Sequence, residues 1–310
     1  MPAPASPNPA LVNPHACLQA DAIRNTFEHA RPFAHCVIDD FLTEDFARSL
    51  VDAFPAFSDG NATSENGTVG GKATIERIAG LAEPFAELDR LVQSRPFLDL
   101  ASRLTGIPDL LYDVDYFGGG THENRHGQSL DTHIDFNRHP RTGWHRRLNL
   151  IVYLNTDWKP EWGGTLQLRG DPHGASPTET VNIVPTFNRC VIFETTEHSW
   201  HGFDPITLPA EHRELGRKSV ALYFYTKERP AEQTAPRHST VYVDRPLPPH
   251  IVPGRTLSDR DHAELQELLA RRDGHIRRLY RDISDLQANL DRTFVGQIGG
   301  LARRVLGRLR

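Results

Sequence analysis

An α+β fold with a jelly-roll core, a helical buttress before it and a helical extension after it is what this sequence of 310 residues predicts. Three observations carry the prediction. Apolar residues recur at helical spacing from about Leu18 to Leu104, and after Gly106 short β-rich runs follow one another between Gly, Pro, Asn and Asp. Near Leu257 the pattern turns helical again. Many short strands preceded by helices describe a layered barrel rather than a parallel sheet.

Taken in order, residues 1–17 (MPAPASPNPALVNPHAC) lack both a positively charged start and an apolar run. They read as a flexible Pro/Ala/Asn tail rather than a secretory signal. Residues 18–250 read as one domain. Its first part holds the helical stretches DAIRNTFEHA, TEDFARSLVDAF and EPFAELDRLVQ, with HCVIDDF as a strand between the first two. Thr43, followed by two acidic residues, is placed to cap the second helix. The stretch from Ser58 to Lys72 has the composition of a loop. Strands follow at LLYDVDYF, SLDTHIDF, RRLNLIVYLN, GTLQLRG, TVNIV, RCVIFET and RKSVALYFYT.

Residues 257–290 read as a heptad-bearing helix. Ser258 and Asp261 form a capping pair, and Leu265, Leu269, Ile276, Leu279, Ile283, Leu286 and Leu290 alternate spacings of three and four, interrupted at Arg272. That seam suits either packing on the chain's own domain or a homodimeric coiled coil. Residues 291–310 form a basic tail with five Arg against one Asp, and its glycines disfavour a membrane-lying helix.

Composition removes several function classes. A formal net charge of −5 and a pI near 6.3 leave no overall basic footprint, against a nucleic-acid partner. Cys17, Cys36 and Cys190 form no Cys-X-X-Cys pair and are odd in number, so neither a disulfide framework nor a thiolate zinc site is indicated. A reducing, cytoplasmic setting fits. No stretch has the length of a transmembrane helix. Gly118-Gly119-Gly120 is no phosphate loop, because no Lys-Ser/Thr pair follows.

The chemistry-bearing residues lie on the strands. His133 and Asp135 are two apart on SLDTHIDF, so they point the same way, and further along comes the segment HSWHGF, whose His201 stands sixty-six residues after the Asp. It offers His198 and His201 on different faces; His201 is preferred because of its spacing from the apolar strand VIF. Two His and one carboxylate with the other side open describe the facial triad of a non-haem Fe(II) site. On RKSVALYFYT, alternation aligns Arg217, Ser219, Ala221, Tyr223 and Tyr225. An Arg and a Ser pointing together into a barrel can grip a carboxylate. On RRLNLIVYLN, Leu148, Leu150, Val152 and Leu154 share one face and Asn149, Ile151 and Tyr153 the other, so Tyr153 is a candidate second donor to that carboxylate and equally readable as a core aromatic.

The ordered set His133-Ile134-Asp135, Tyr153-Leu154-Asn155 with Trp158, Gly163-Gly164-Thr165-Leu166, Val191-Ile192-Phe193, His201 and Arg217-Lys218-Ser219 resembles the prolyl 4-hydroxylase-like branch of the Fe(II)/2-oxoglutarate-dependent dioxygenases. RPFAHCVIDDFL is similar to that branch's opening strand, and the resemblance spans roughly residues 31–230. It implies a double-stranded β-helix with His133, Asp135 and His201 as metal ligands and catalytic residues, and Arg217, Ser219 and Tyr153 as binding residues for 2-oxoglutarate. The implied reaction is hydroxylation of an unactivated C–H bond by O2, with 2-oxoglutarate decarboxylated to succinate and ascorbate as an accessory reductant. Two departures stand out. Where many members place an extra Tyr on the 2-oxoglutarate, this chain has Glu123 and Asn124 near that spacing and Tyr116 further upstream. The gap from His201 to Arg217 also holds an inserted loop, DPITLPAEHRELG.

The bland readings are polar residues on an exposed sheet face for the triad and a surface pair for Arg217 and Ser219. The basic run RHPRTGWHRR, close behind the Asp, suits an anionic substrate, but such a charge run more often reads as a solvated loop. The rival functions are a non-catalytic jelly-roll that binds or assembles, and a cupin-like metalloenzyme that does not use 2-oxoglutarate. The primary substrate, a small molecule or a protein residue, is not legible.

Overall fold

The computed structural model describes residues 9–57, 62–63, 72–173, 179–243, 247–248 and 250–292. Five helices precede the sheets: α1 (Pro14–Leu18), α2 (Ala20–His29), α3 (Glu44–Asp52), α4 (Glu83–Val92) and α5 (Arg95–Thr105). α5 shows how locally the sequence specifies them. The Ser94 side chain accepts a bond from the N–H of Phe97, Pro96 occupies the first turn where no partner is needed, and Gly106 at φ 73° ends the helix. Thr43 stands at the N-cap of α3 but makes no side-chain cap bond.

The tail expected over residues 1–17 is ordered where it is described. Asn13 caps α1, Val12 bridges to Leu42, and Ala16 is fully buried. Pro and Asn, taken as signs of a loose tail, here start a capped helix.

The strands are β1 (His35–Ile38), β2 (Ala62–Thr63), β3 (Lys72–Ile75), β4 (Leu111–Tyr112), β5 (Gly120–Asn124), β6 (Leu130–Ile134), β7 (His145–Tyr153), β8 (Leu166–Arg169), β9 (Thr180–Ile183), β10 (Cys190–Glu194), β11 (Trp200–Phe203), β12 (Arg217–Thr226) and β13 (Val241–Tyr242). They form an eight-stranded sheet in the order β1-β10-β7-β12-β5-β3-β2, with β4 beside β12, and a five-stranded sheet in the order β13-β6-β11-β8-β9. The two sheets share no strand and do not close. This is a jelly-roll sandwich of antiparallel strands, as the sequence predicts, with an open rim.

The strand expected over LLYDVDYF shrinks to Leu111–Tyr112. Asp113 breaks it by accepting from the N–H groups of Asp115 and Phe117, a local bond that competes with the ladder.

The outward face of the large sheet carries Leu148, Leu150, Val152, Leu154, Val220, Leu222 and Phe224, packed with Phe27, Phe85, Phe97 and Leu104 of the helices. Its inward face carries Tyr153, Val191 and Phe193, which meet Leu166, Leu168 and Ile183 of the small sheet. The helices therefore buttress one side and leave the bore between the sheets for polar groups. The inserted loop is packed too: Ile206 and Leu208 are buried with Trp158, Trp162 and Phe203.

Contacts divide the chain into Met1–Ala62 with Gly71–Val243, and Thr63–Gly70 with Asp244–Arg310. In the second, α6 runs Asp259–Arg292, and Ser258 and Asp261 exchange bonds reciprocally as a capping box, 2.9 Å to the N–H of Ser258 and 3.2 Å to that of Asp261. The basic tail from 293 lies outside the described residues. Among those described, no helix is long and apolar enough to cross a membrane.

Candidate metal centre

Antiparallel register places His201 of β11 directly opposite His133 of β6, and Asp135 follows one residue past the end of β6. Opposed residues point to the same side, so three side chains from two neighbouring strands converge in the bore. The two imidazole centroids are 4.3 Å apart. The carboxylate oxygens of Asp135 lie 3.6 Å from His133 Nε2 and 3.5 Å from His201 Nε2. Each Nδ1 donates to the carbonyl two residues back, His133 to Asp131 at 2.8 Å and His201 to Ser199 at 2.9 Å. A carbonyl can only accept, so the protons sit on Nδ1 and both Nε2 lone pairs face the carboxylate. Two fixed neutral imidazoles and a carboxylate fit a divalent first-row metal with positions to spare.

Electrostatics favours the same protonation states. Burial, then the neighbouring His133, lowers His201 to about 4. Burial pushes Asp135 up, but the Arg146 guanidinium, then His201 and His133, outweigh it and hold the carboxyl well below its usual range. For His201 and Asp135 the deprotonated forms a metal needs are therefore those present at neutral pH.

Arg217 sits at the start of β12 with its guanidinium 4.2 Å above the ring of Phe203, two residues beyond His201 on the same face. Its Nε donates to the carbonyl of Gly164 at 2.6 Å and its terminal nitrogen to the Tyr153 hydroxyl at 3.1 Å. It is 4% exposed and forms no ion pair among the described residues. Ser219 is opposed by Tyr153 on one side and His122 on the other. These three make one rung facing the bore.

Of the three residues near the missing Tyr, Asn124 pairs with Arg217 in register and shares its face. Glu123 faces away and pairs with Arg125 at 3.0 Å, while the Tyr116 hydroxyl donates to Asp89 at 2.9 Å. His198 is exposed and outside the cluster.

Within the basic run, Arg146 and Arg147 lie on β7 as the strand RRLNLIVYLN predicts, with His145 before them. What corrects the solvated-loop reading is burial: Arg146 is 1% exposed and reaches Asp135, and sequence alone does not separate a buried arginine from a solvated one. A second group, Asp113, Asp115 and His139, also gathers donor atoms. There His139 Nδ1 accepts from the N–H groups of Arg141 and Thr142, so its proton sits on Nε2, 3.4 Å from Asp113. Asp115 is paired with Arg77 and Arg141. This is a hydrogen-bonded turn rather than a metal site.

Residues 119–225 match the profile of the 2OG-Fe(II) oxygenase superfamily. Over 249 residues the chain is 25% identical to prolyl 3-hydroxylase OGFOD1 of Mus musculus; the match covers 75% of this chain and 40% of the mouse protein. Among solved structures, a prolyl hydroxylase from Trichoplax adhaerens, in complex with a hypoxia inducible factor peptide fragment, aligns with 17% identity and a TM-score of 0.49, covering 70% of this chain and 96% of that one. A Pseudomonas putida prolyl-4-hydroxylase aligns with 17% identity and a TM-score of 0.46, covering 67% and 100%. The matched segment contains every residue of the cluster and of the Arg217 rung, and the chain thus carries a 2OG-Fe(II) oxygenase domain.

Proposed function

We propose that this protein is an Fe(II)- and 2-oxoglutarate-dependent dioxygenase that hydroxylates an unactivated C–H bond, with His133, Asp135 and His201 as metal ligands. One observation carries the co-substrate half of this reading. A buried cation without an acidic partner is costly unless an anion joins it, and Arg217 is such a cation one side-chain step along the bore from His201. The distal carboxylate of 2-oxoglutarate supplies that anion. Because the Tyr153 hydroxyl accepts from Arg217, its own proton is left to donate to the carboxylate, and Ser219 offers a second hydroxyl on the same rung.

When bound, the iron and 2-oxoglutarate supply the oxidising chemistry, consuming O2 and releasing succinate and carbon dioxide as the substrate gains a hydroxyl. The chain's own part is placement. The fixed Nδ1 bonds aim both imidazoles, Arg217 sets the direction of the dicarboxylate, and Phe193 and Phe203 wall the bore against water. The name of the mouse relative supports a prolyl residue as the first substrate to assay, beside small-molecule panels. Three free thiols support a cytoplasmic setting.

The test is anaerobic addition of Fe(II) and 2-oxoglutarate, which should give the weak visible charge-transfer band of the chelate. A binding-only jelly-roll gives none, and oxygen uptake without succinate would favour the cupin-like alternative.

The reading extends to assembly. Leu269, Ile276, Leu279, Ile283 and Leu286 on α6 are between 47% and 58% exposed. With Ile276 and Ile283 at one seam position and Leu279 and Leu286 at the other, the pattern suits a parallel two-stranded coiled coil, that is, a homodimer. Sedimentation of the full chain tests this: a dimer that becomes a monomer in Ile276→Glu/Leu279→Glu supports it, and a monomeric parent overturns it.

A further inference from the structure

The two oxygens of Asp135 have unequal surroundings. Each oxygen faces one imidazole, Oδ1 lying 3.6 Å from His133 Nε2 and Oδ2 3.5 Å from His201 Nε2, but Oδ2 alone also accepts from Asn149 Nδ2 at 2.7 Å and lies 3.0 Å from a terminal nitrogen of Arg146. Asn149 thus occupies one lone pair of Oδ2, and the Arg146 charge lies against the same oxygen. Arg146 is itself held on every side. It donates twice to Asn149 Oδ1, at 3.0 and 2.6 Å, and its guanidinium carbon lies 3.6 Å from the Tyr223 ring centre and 4.5 Å from that of Phe136. Both residues come from β7 of the large sheet, while Asp135 follows β6 of the small one. The closed triangle of Arg146, Asn149 and Asp135 therefore spans the bore.

We infer that Arg146 and Asn149 are positioning residues that restrict Asp135 to one-oxygen ligation through Oδ1 and weaken it as a donor to the metal. The inference rests on the metal reading above. A carboxylate free to rock would offer the metal both oxygens and take up a position that co-substrate or oxygen requires. Charge leads to the same assignment. Asp135 and Arg146 already form a neutral buried pair, so this carboxylate gives less charge to a metal than an unpaired one would. A purely structural arginine would need neither the bond to Oδ2 nor the shared Asn149.

The test compares the anaerobic Fe(II)/2-oxoglutarate band of the parent with Arg146→Gln, Arg146→Lys and Asn149→Asp. Arg146→Gln should move the band to longer wavelength, because an uncompensated carboxylate gives the metal more charge, and should lower turnover by about 10- to 100-fold, because that carboxylate is no longer held in one orientation. Arg146→Lys, which keeps the charge, should hold the parent position. Asn149→Asp diverts Arg146 to a new carboxylate and should shift the band the same way, so it carries the test if Arg146→Gln does not fold. A band that only loses amplitude, at the parent wavelength in the Arg146→Gln and Asn149→Asp proteins alike, overturns the inference. No band in the parent overturns the metal reading itself.

Discussion

Replacing Arg217 with Ala should raise the KM for 2-oxoglutarate far more than it lowers kcat. In the folded chain two of the guanidinium's N–H groups are already committed, to Gly164 and Tyr153, so the remainder of the fork is available to the carboxylate. Charge-assisted hydrogen bonds contribute about 1.5–3 kcal/mol each, and two of them are at stake. A loss of about 3–6 kcal/mol corresponds to a rise in KM of about two to four powers of ten, at 1.36 kcal/mol per tenfold. Arg217→Lys should recover only part of this, because one ammonium cannot serve Gly164 and span both carboxylate oxygens. The assay is succinate formation against 2-oxoglutarate concentration, with a thermal melt to confirm folding, since the orphaned Tyr153 hydroxyl and Gly164 carbonyl cost about 1–3 kcal/mol of stability. A KM within twofold of the parent, with kcat reduced, would refute the placement of Arg217 on the co-substrate.

Other consequences are as specific. Gly164 stands at φ 65°, and a Cβ there would lie 2.9 Å from Ile206 and 3.0 Å from the Arg217 side chain, so Gly164→Ala should also raise the 2-oxoglutarate KM; kinetics identical to the parent would contradict the contact. A metal that binds only the folded chain raises its melting temperature, by about 2.7 kcal/mol of stability at a hundred times Kd, so Fe(II) or Ni(II) should stabilise the parent and leave His133→Ala unmoved by calorimetry. For the metal-free protein, His201 titrates near 4 when folded against about 6.5 unfolded. Below 6.5 the unfolded chain binds the extra proton, so stability should fall as pH drops from 6.5 to 4, by about 3 kcal/mol from this group. Denaturant melts of the parent and His201→Asn across that range check it; equal slopes would refute it.

Legibility in the sequence followed local signals. The triad and the Arg217/Ser219 pair were visible because strand alternation sets which residues share a face, and His201 opposite His133 and Ser219 opposite Tyr153 stay in register, although the β11–β6 and β12–β7 pairings shift further along. The helices announced themselves through apolar spacing and, at Ser258 and Asp261, through a capping box. β5 did not. Gly120–Asn124 has no apolar alternation because one face looks into the polar bore, and only its pairing between β3 and β12 makes it a strand. That hid which of Glu123 and Asn124 shares a face with Arg217, and hid the place of His122 opposite Ser219. Arg146 was missed for a different reason. Its burial is compensated by Asp135 and by two aromatic faces distant in sequence, so within RHPRTGWHRR nothing local distinguished it.

Succinate formed from 2-oxoglutarate, followed by NMR with Fe(II) and oxygen present, tests the central claim most directly. The parent should turn over 2-oxoglutarate, slowly without a primary substrate and faster with one, and His133→Ala and Asp135→Ala should not. Retained turnover in the His133→Ala protein would contradict the assignment of the metal centre.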